Sequence, residues 1–288
     1  MRKIGFIGLG NMGKGMSVNL AKKNHQIIGF DINHNAYNYI KDQNINIAEN
    51  LKSLVNEAEI IITMLPDGNA VNTVWSEIID FSKPGQYLID CSTIDVKTSR
   101  SVQMLGKEKG LFTLDAPVSG GVIGADQGTL TFMVGGNPDI YDGMKFLFEI
   151  MGKNSILCGE EGAGQSAKIC NNMLLASTMI AVGESFNLGK NLGLDLDKLF
   201  EVISTSTGSC WAVNSYCPIK GIGPTSPADR DYGGGFATAL MYKDLGLAVD
   251  AAIETKTNIN FGMQTFKKYK QLTTNGKGNL DFSNIINE

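Results

Sequence analysis

One lysine and two asparagines stand at the start of a long uncharged segment of this chain. Lys168, Asn171 and Asn172 have the spacing i, i+3 and i+4, so they share one face of any helix that contains them. No charged residue lies between Lys168 and Glu184, and a helix that is apolar nearly all round is expected to be buried. Desolvation brings the pKa of a buried amine toward the range in which proton transfer is efficient. Lys168 is therefore a candidate general acid or base, with Asn172 beside it to hold a substrate. The alternative is a lysine that extends to solvent from the first helical turn.

A glycine-rich turn near the start of the chain has the spacing of a dinucleotide-binding loop. The strand-like run KIGFIG leads into Gly8-Leu9-Gly10-Asn11-Met12-Gly13, and a helical pattern follows. Gly8 would make the tight turn, Gly10 would let a pyrophosphate approach, and Gly13 would let the helix pack closely on the strand. The next strand-like run ends at Asp31, whose carboxylate could accept hydrogen bonds from both ribose hydroxyls and would repel a 2′-phosphate. The pattern predicts NAD in preference to NADP, and the alternative is a common glycine pattern followed by a turn-capping aspartate.

Apolar, β-branched runs alternate with helical segments through the first half of the chain, which predicts parallel βαβ units in a doubly wound Rossmann-type sheet. Ligands of such sheets bind at the carboxyl ends of the strands. Leu65, Pro66 and Thr93 fall there and are candidates for the nicotinamide side of the cofactor, although each could be an ordinary loop residue. The predicted strands are Lys3–Gly8, Gln26–Asp31, Glu59–Leu65, Gln86–Cys91, Phe112–Ala116, Thr131–Gly135 and Ser155–Cys158.

The second half of the chain has a helical pattern, which begins with one long helix of about eight turns after Gly162. We therefore expect an α/β NAD-binding domain at residues 1–162. An all-α domain for substrate binding and oligomerisation is expected at residues 163–288, starting with the long helix between the two domains. The glycine- and proline-rich loop at 208–235 is long for a compact domain and is expected to be functional or mobile.

Composition narrows the class of protein. The 288 residues are 43% hydrophobic and 19% charged, which is typical of a globular protein. The net charge of −4 gives no electrostatic footprint for nucleic acid, and no apolar run is long enough for a membrane span. Five scattered cysteines and two histidines indicate neither a disulfide framework nor a metal site. A cytoplasmic protein without nucleic-acid, membrane or metal partners is expected.

Five segments together resemble the β-hydroxyacid dehydrogenase family over essentially the whole chain. They are GFIGLGNMG at 5–13, DAPVSGGVIGADQGTLTFMVGG at 115–136, GAGQSAKICNNMLLA at 162–176, GSCW at 208–211 and LMYKDLGLA at 240–248. The chain departs from the family where a Pro-Gly pair is common and Lys220-Gly221 stands here, and the segment PTSPADRDYGGGF is only loosely similar.

The resemblance implies roles for particular residues. Ser119, Gly120 and Gly121 would bind the substrate carboxylate, because consecutive unobstructed amides can converge on an anion. Lys168 would be the catalytic acid or base and Asn172 a substrate ligand, and Lys243 would approach the nicotinamide. Trp211 would form a wall of the substrate pocket, or else it is an aromatic of the core.

The activity that the resemblance implies is NAD-dependent oxidation of a β-hydroxy acid. The leading expectation is oxidation of 3-hydroxyisobutyrate to methylmalonate semialdehyde, a step of valine catabolism. A reductase of tartronate, glyoxylate or succinate semialdehyde is the alternative within the family, and a non-catalytic NAD-binding protein is the alternative from another class. The family habit suggests a homodimer or homotetramer. Eukaryotic relatives carry a mitochondrial transit segment, and none is evident here, so a bacterial cytoplasm and a processed form both remain open.

Overall fold

Nine strands form one sheet in the first part of the computed structural model, which describes residues 1–288. Six of them, in the order β3-β2-β1-β4-β5-β6, are parallel, and the direction of winding reverses between β1 and β4. This arrangement confirms the predicted Rossmann-type sheet. The strands are β1 (Lys3–Ile7), β2 (Gln26–Phe30), β3 (Ile45–Ile47), β4 (Ile60–Thr63), β5 (Tyr87–Asp90), β6 (Phe112–Asp115), β7 (Val118–Ser119), β8 (Leu130–Gly136) and β9 (Gly152–Gly159).

The end of the sheet departs from the predicted parallel pairing. Strand β8 runs antiparallel to both β6 and β7, and β9 then pairs parallel with β8. A parallel return usually runs through a full crossover helix. The chain between β6 and β8 instead holds β7 and a helix of 7 residues, Gly121–Gln127, so it turns back beside β6 in the opposite direction.

Six helices accompany the sheet. Alternate residues of the parallel strands enter two separate apolar clusters, with Phe6 and Ile62 in one and Ile7 and Ile61 in the other, as expected when both faces of a sheet are covered. The helices are α1 (Gly13–Lys22), α2 (Leu51–Glu57), α3 (Gly68–Phe81), α4 (Val96–Glu108), α5 (Gly121–Gln127) and α6 (Pro138–Met151).

The predicted long helix is confirmed as α7, which runs from Ala163 to Asn191 and has 29 residues. The remaining α-helices are α8 (Leu196–Thr205), α9 (Trp211–Asn214), α10 (Thr238–Thr255) and α11 (Asn260–Leu272). The chain divides into two units, Met1–Lys168 and Ile169–Glu288, which we call unit 1 and unit 2. No helix combines the length and apolar character that crossing a membrane requires.

The surface of α7 differs from the expectation of a fully buried helix. Leu174 is 67% exposed and Leu188 is 60% exposed in this single chain. Ala181, midway between them, is also exposed. Residues spaced by seven lie on one face of a helix, so these three side chains form an exposed apolar stripe.

Candidate active site

The three glycines of the loop between β1 and α1 differ in their surroundings. Gly8 has a positive φ of 92°, and a side chain there would collide with the carbonyl of Met64. At Gly13 a side chain would collide with the carbonyl of Gly8. At Gly10, by contrast, a Cβ would meet nothing within 4 Å. Glycine is therefore required at Gly8 for the turn and at Gly13 for close packing, while the backbone at Gly10 is open to a ligand.

The carboxylate of Asp31 is fixed against this loop. Its Oδ2 accepts a hydrogen bond from the backbone N–H of Leu9 at 2.7 Å, and its Oδ1 accepts one from the N–H of Asn33 at 2.7 Å. Each carboxylate oxygen can accept a further hydrogen bond. Asp31 thus joins the end of β2 to the glycine-rich loop, and it keeps the acceptor capacity that a ribose diol would need.

A buried carboxylate joins the ends of β4 and β5, where Leu65, Pro66 and Thr93 lie. Asp90 Oδ1 accepts hydrogen bonds from Thr63 Oγ1 at 2.7 Å and from Ser92 Oγ at 2.6 Å. Ser92 Oγ in turn accepts the N–H of Leu65 at 2.8 Å. One hydrogen-bond chain therefore sets the separation of the two loops. Sequence reasoning missed Asp90, although an acid that ends an otherwise apolar strand, as in YLID, was an available signal.

The second oxygen of Asp90 has no hydrogen-bond partner although it is buried. Desolvation raises the pKa of this carboxyl to about 6, against the lowering effect of its hydrogen bonds from Ser92 and Thr63. Ionisation of Asp90 is therefore costly at neutral pH, and the carboxyl takes up a proton at a pH just below neutral.

A second buried carboxylate holds the start of α7. Asp115, at the end of β6, is 0% exposed. Its Oδ1 accepts the N–H of Gly162 at 2.7 Å and Nε2 of Gln103 at 2.9 Å, and its Oδ2 accepts the N–H of Gln165 at 2.9 Å. The first N–H groups of a helix have no partner within the helix and carry a partial positive charge. Asp115 satisfies two donors at this helix end from a neighbouring strand.

The segment Ser119–Gly121 lies where β7 ends and α5 begins. Gly120 and Gly121 have positive φ values of 132° and 63°, conformations that side-chain-bearing residues rarely adopt. Both glycines are exposed, and a Cβ at Gly121 would meet nothing within 4 Å. The backbone here is accessible to a small anion, and its role in binding a carboxylate stays a prediction.

Lys168 and Asn172 are both buried, at 7% and 2% exposure, and they lie four residues apart on α7. The burial of Lys168 argues against the alternative of a lysine that extends into solvent. Asn171 is exposed, and its Nδ2 donates to Asn172 Oδ1 at 3.0 Å. The three polar residues of the predicted face therefore differ, because only two of them are shielded from water.

Asn172 is oriented by the carboxylate of Asp244, to which the sequence alone assigned no role in the site. Its Nδ2 donates to Asp244 Oδ2 at 2.6 Å, and Lys243 Nζ lies 3.3 Å from Asp244 Oδ1. Asp244 is 3% exposed, so the Lys243–Asp244 pair is not an exposed ion pair. The structure brings Asn172 and Lys243 to the two oxygens of one buried carboxylate.

Trp211 is the first residue of the short helix α9. Its side chain is 50% exposed and stacks on Tyr216, with ring centroids 4.7 Å apart. It is therefore not an aromatic of the core. Its role as a wall of the substrate pocket stays a prediction.

Two family models cover almost the whole chain. Residues 3–159 match the NAD-binding domain of 6-phosphogluconate dehydrogenase, and residues 162–288 match the NAD-binding region of NADP-dependent 3-hydroxyisobutyrate dehydrogenase. The Rossmann-type fold, the glycine-rich loop and the two family models together define the class of this protein as an NAD-binding oxidoreductase.

Individual relatives narrow this class. The chain is 44% identical to a probable mitochondrial 3-hydroxyisobutyrate dehydrogenase of Dictyostelium discoideum, over 98% of this chain and 89% of that protein. It is 41% identical to the human mitochondrial 3-hydroxyisobutyrate dehydrogenase, over 98% of this chain and 85% of that protein. The solved structure of Mycobacterium tuberculosis 3-hydroxyisobutyrate dehydrogenase with L-serine superposes with a TM-score of 0.96 at 43% identity, covering 100% of this chain and 98% of that one. The chain belongs to the 3-hydroxyisobutyrate dehydrogenase family.

The raised pKa of Asp90 predicts how the stability of unit 1 depends on pH. A carboxyl whose pKa is higher in the folded chain stabilises the fold when protonated, and this contribution is lost as pH rises through about 6. Between pH 5 and pH 7 the free energy of unfolding should fall by about 1 kcal/mol more in the wild type than in Asp90→Asn. Urea unfolding followed by Trp75 fluorescence, in a Trp211→Phe background with one tryptophan, measures this difference.

The control is Asp80→Asn, which neutralises an exposed acid of the same unit and should leave the wild-type pH dependence unchanged. Equal pH slopes for Asp90→Asn and the wild type would mean that Asp90 is ionised at an ordinary pKa.

Proposed function

We propose that this chain catalyses the NAD-dependent oxidation of 3-hydroxyisobutyrate to methylmalonate semialdehyde, a step of valine catabolism. The observation that carries the proposal is the pair Lys168 and Asn172, buried one helical turn apart in a chain of the 3-hydroxyisobutyrate dehydrogenase family. An amine and an amide on one face can hold a hydroxyl group and move its proton.

The residues of the glycine-rich loop fit a dinucleotide. The open backbone at Gly10 would accommodate the pyrophosphate, and Leu9, Asn11 and Met12 complete the loop between Gly8 and Gly13. Asp31 would accept the ribose hydroxyls, while Leu65, Pro66, Thr93 and Lys243 would lie toward the nicotinamide. When bound, NAD supplies the acceptor for a hydride.

The other steps of the reaction would be carried out by residues of this chain. Ser119, Gly120 and Gly121 would bind the substrate carboxylate, and Asn172 would orient the hydroxyl group. Lys168 would accept the proton of the substrate hydroxyl and become protonated, while bound NAD would supply the acceptor for the hydride from the same carbon. In the reverse direction the ammonium group returns the proton. Much of the rate would come from alignment of the donor carbon, with Trp211 restricting the substrates admitted.

A substrate panel with both cofactors tests this function. We expect the highest kcat/KM for 3-hydroxyisobutyrate with NAD, and a lower one for tartronate semialdehyde with NADPH. Apolar pockets discriminate a methyl group by only about 1–3 kcal/mol, so measurable activity with close analogues is expected. The reverse ranking would indicate a semialdehyde reductase. Binding of NADH without turnover of any β-hydroxy acid would indicate a non-catalytic NAD-binding protein.

Lys168→Ala separates catalysis from cofactor binding within the same panel. This variant should lose turnover by at least about 100-fold, while its Kd for NADH stays within threefold of wild type. The matched control is Lys190→Ala, which removes an exposed lysine from the last turn of the same helix and should retain the wild-type rate. Near-normal turnover by Lys168→Ala would show that the amine is not the proton-transfer group.

Asp31→Ala tests the choice of NAD over NADP, which matters because one matching family model is described for an NADP-dependent enzyme. Loss of charge-assisted hydrogen bonds to the ribose should weaken NAD binding about tenfold or more. Binding of NADP should weaken less, because the carboxylate that opposes the 2′-phosphate is also lost. Asp42→Ala, at an exposed acid, is the control. An unaltered ratio of the two Kd values contradicts the ribose contact.

We infer that the chain forms a homodimer or homotetramer through the exposed stripe Leu174, Ala181 and Leu188 on α7, because isolated chains rarely expose such apolar faces. Sedimentation velocity should show an oligomer for wild type and a smaller species for Leu174→Glu/Leu188→Glu. Ile156→Glu, at an exposed apolar residue of β9, should not change the sedimentation coefficient. A monomeric wild type excludes the interface.

The five free cysteines support a reducing, cytoplasmic location.

A further inference from the structure

The side chain of Gln165, in the first turn of α7, makes two hydrogen bonds to one loop. Its Nε2 donates to the carbonyl oxygen of Ser92 at 2.8 Å, and its Oε1 accepts the N–H of Ile94 at 3.1 Å. The residue between these two backbone partners is Thr93, a candidate cofactor ligand. The side-chain amide of Gln165 therefore holds the loop after β5 on both sides of Thr93.

Every group in this arrangement is shielded from water. Gln165 and Ser92 are 0% exposed and Ile94 is 1% exposed. A buried polar group that loses its partner costs about 1–3 kcal/mol, so the loop and the helix are not free to separate. The amide has one donor end and one acceptor end, and the loop presents one acceptor and one donor in matching order. A side-chain amide has this pair of ends, and asparagine, the other residue that carries one, is one methylene shorter.

The backbone of the same turn is fixed on its other side. The N–H of Gln165 donates to Asp115 Oδ2, and a side chain at Gly164 would collide with the carbonyl of Met133 on β8. The start of α7 is thus held by the end of β6, by β8 and by the loop after β5. Contacts on several sides fix the rotation of a helix about its own axis.

Lys168 follows Gln165 by three residues on this helix, and residues at i and i+3 are neighbours on a helix surface. A rotation of the first turn would therefore carry the Lys168 amine with it. Displacement of a catalytic group by about 1 Å can cost about 100-fold in rate. The side chain that contacts the loop around Thr93 therefore lies one helical turn before Lys168.

We propose that Gln165 is a positioning residue, whose side-chain amide locks the start of α7 to the loop around Thr93 and so aligns the Lys168 amine with the nicotinamide side of the cofactor. This inference rests on the proposed dehydrogenase function. Gln165 itself transfers no proton and binds no substrate. Its contribution is to the rate of hydride transfer and not to the affinity for NAD.

Single-turnover kinetics of Gln165→Met test the proposal. Methionine has a similar length and no hydrogen-bonding amide, so it keeps the packing and removes both contacts. With enzyme in excess over 3-hydroxyisobutyrate and saturating NAD, the rate constant for NADH formation should fall at least tenfold. The Kd for NADH should stay within threefold of wild type. A merely structural role would lower the fraction of folded enzyme and leave the rate constant unchanged.

Gln165→Glu is the second variant, in case the methionine variant does not fold. At a pH at which this glutamate is ionised, it places an acceptor against the Ser92 carbonyl in place of the donor, and the same loss of rate is expected. Asn137→Ala is the matched control. Asn137 accepts the N–H groups of Asp139 and Ile140 and so caps α6, a helix without any candidate site residue. Its removal should lower stability without changing the single-turnover rate constant.

Hydrogen exchange at the Ile94 amide provides a readout that needs no activity. This N–H donates to Gln165 Oε1, so it should exchange faster in Gln165→Met than in wild type. Rate constants within threefold of wild type in every folded Gln165 variant would overturn the proposal. A wild-type protein that forms no NADH from any β-hydroxy acid would instead refute the proposed function. The positioning role of Gln165 would then be refuted as well, even if exchange at the Ile94 amide showed that the hydrogen bond exists.

Discussion

The bond between the Asp115 carboxylate and the first N–H groups of α7 is the interaction on which the candidate site depends. It places a buried charge against donors that a helix cannot satisfy by itself. Desolvation raises the pKa of Asp115 even though Gly162, Gln165 and Gln103 all donate to it, so the hydrogen bonds only partly offset the cost of burial. The result is a helix whose start is fixed by the sheet. Lys168 stands one turn further along that fixed segment.

Three buried carboxylates follow the same principle in different parts of the fold. Asp90 joins two strand ends, Asp115 holds a helix start, and Asp281 in unit 2 accepts hydrogen bonds from Tyr216, from the N–H of Phe236 and from Ser283. Each of these hydrogen bonds comes from a neutral donor, and burial raises the pKa of all three carboxyls. Neutral donors with fixed geometry orient loops without introducing a mobile cation. In unit 2, the hydrogen bond to Asp281 holds Tyr216 in place, and Trp211 stacks on the ring of Tyr216.

Glycine makes the close contacts of unit 1 possible. A side chain at Gly135 would collide with Asp115, and one at Gly164 would collide with the carbonyl of Met133, so glycine lets β8 and the start of α7 approach Asp115. The glycines of the segment DAPVSGGVIGADQGTLTFMVGG therefore have two different structural roles. Gly135 permits packing around a buried charge, and Gly120 and Gly121 leave exposed backbone with positive φ. A close approach to Asp115 requires glycine at Gly135, and the positive φ favours glycine at Gly120 and Gly121.

The sequence by itself determined the parallel strands, the long α7, the glycine-rich loop with Asp31 and the isolated Lys168–Asn172 pair. These follow from hydrophobic period, turn chemistry and helical spacing, which are properties of neighbouring residues. Only the tertiary structure decided that β8 returns antiparallel, that Asp244 orients Asn172, and that Gln165 bridges to Ser92 and Ile94 across 73 and 71 positions of the chain. A hydrogen bond between distant residues leaves no periodic trace in the sequence, because its partners are chosen by how the strands and helices pack.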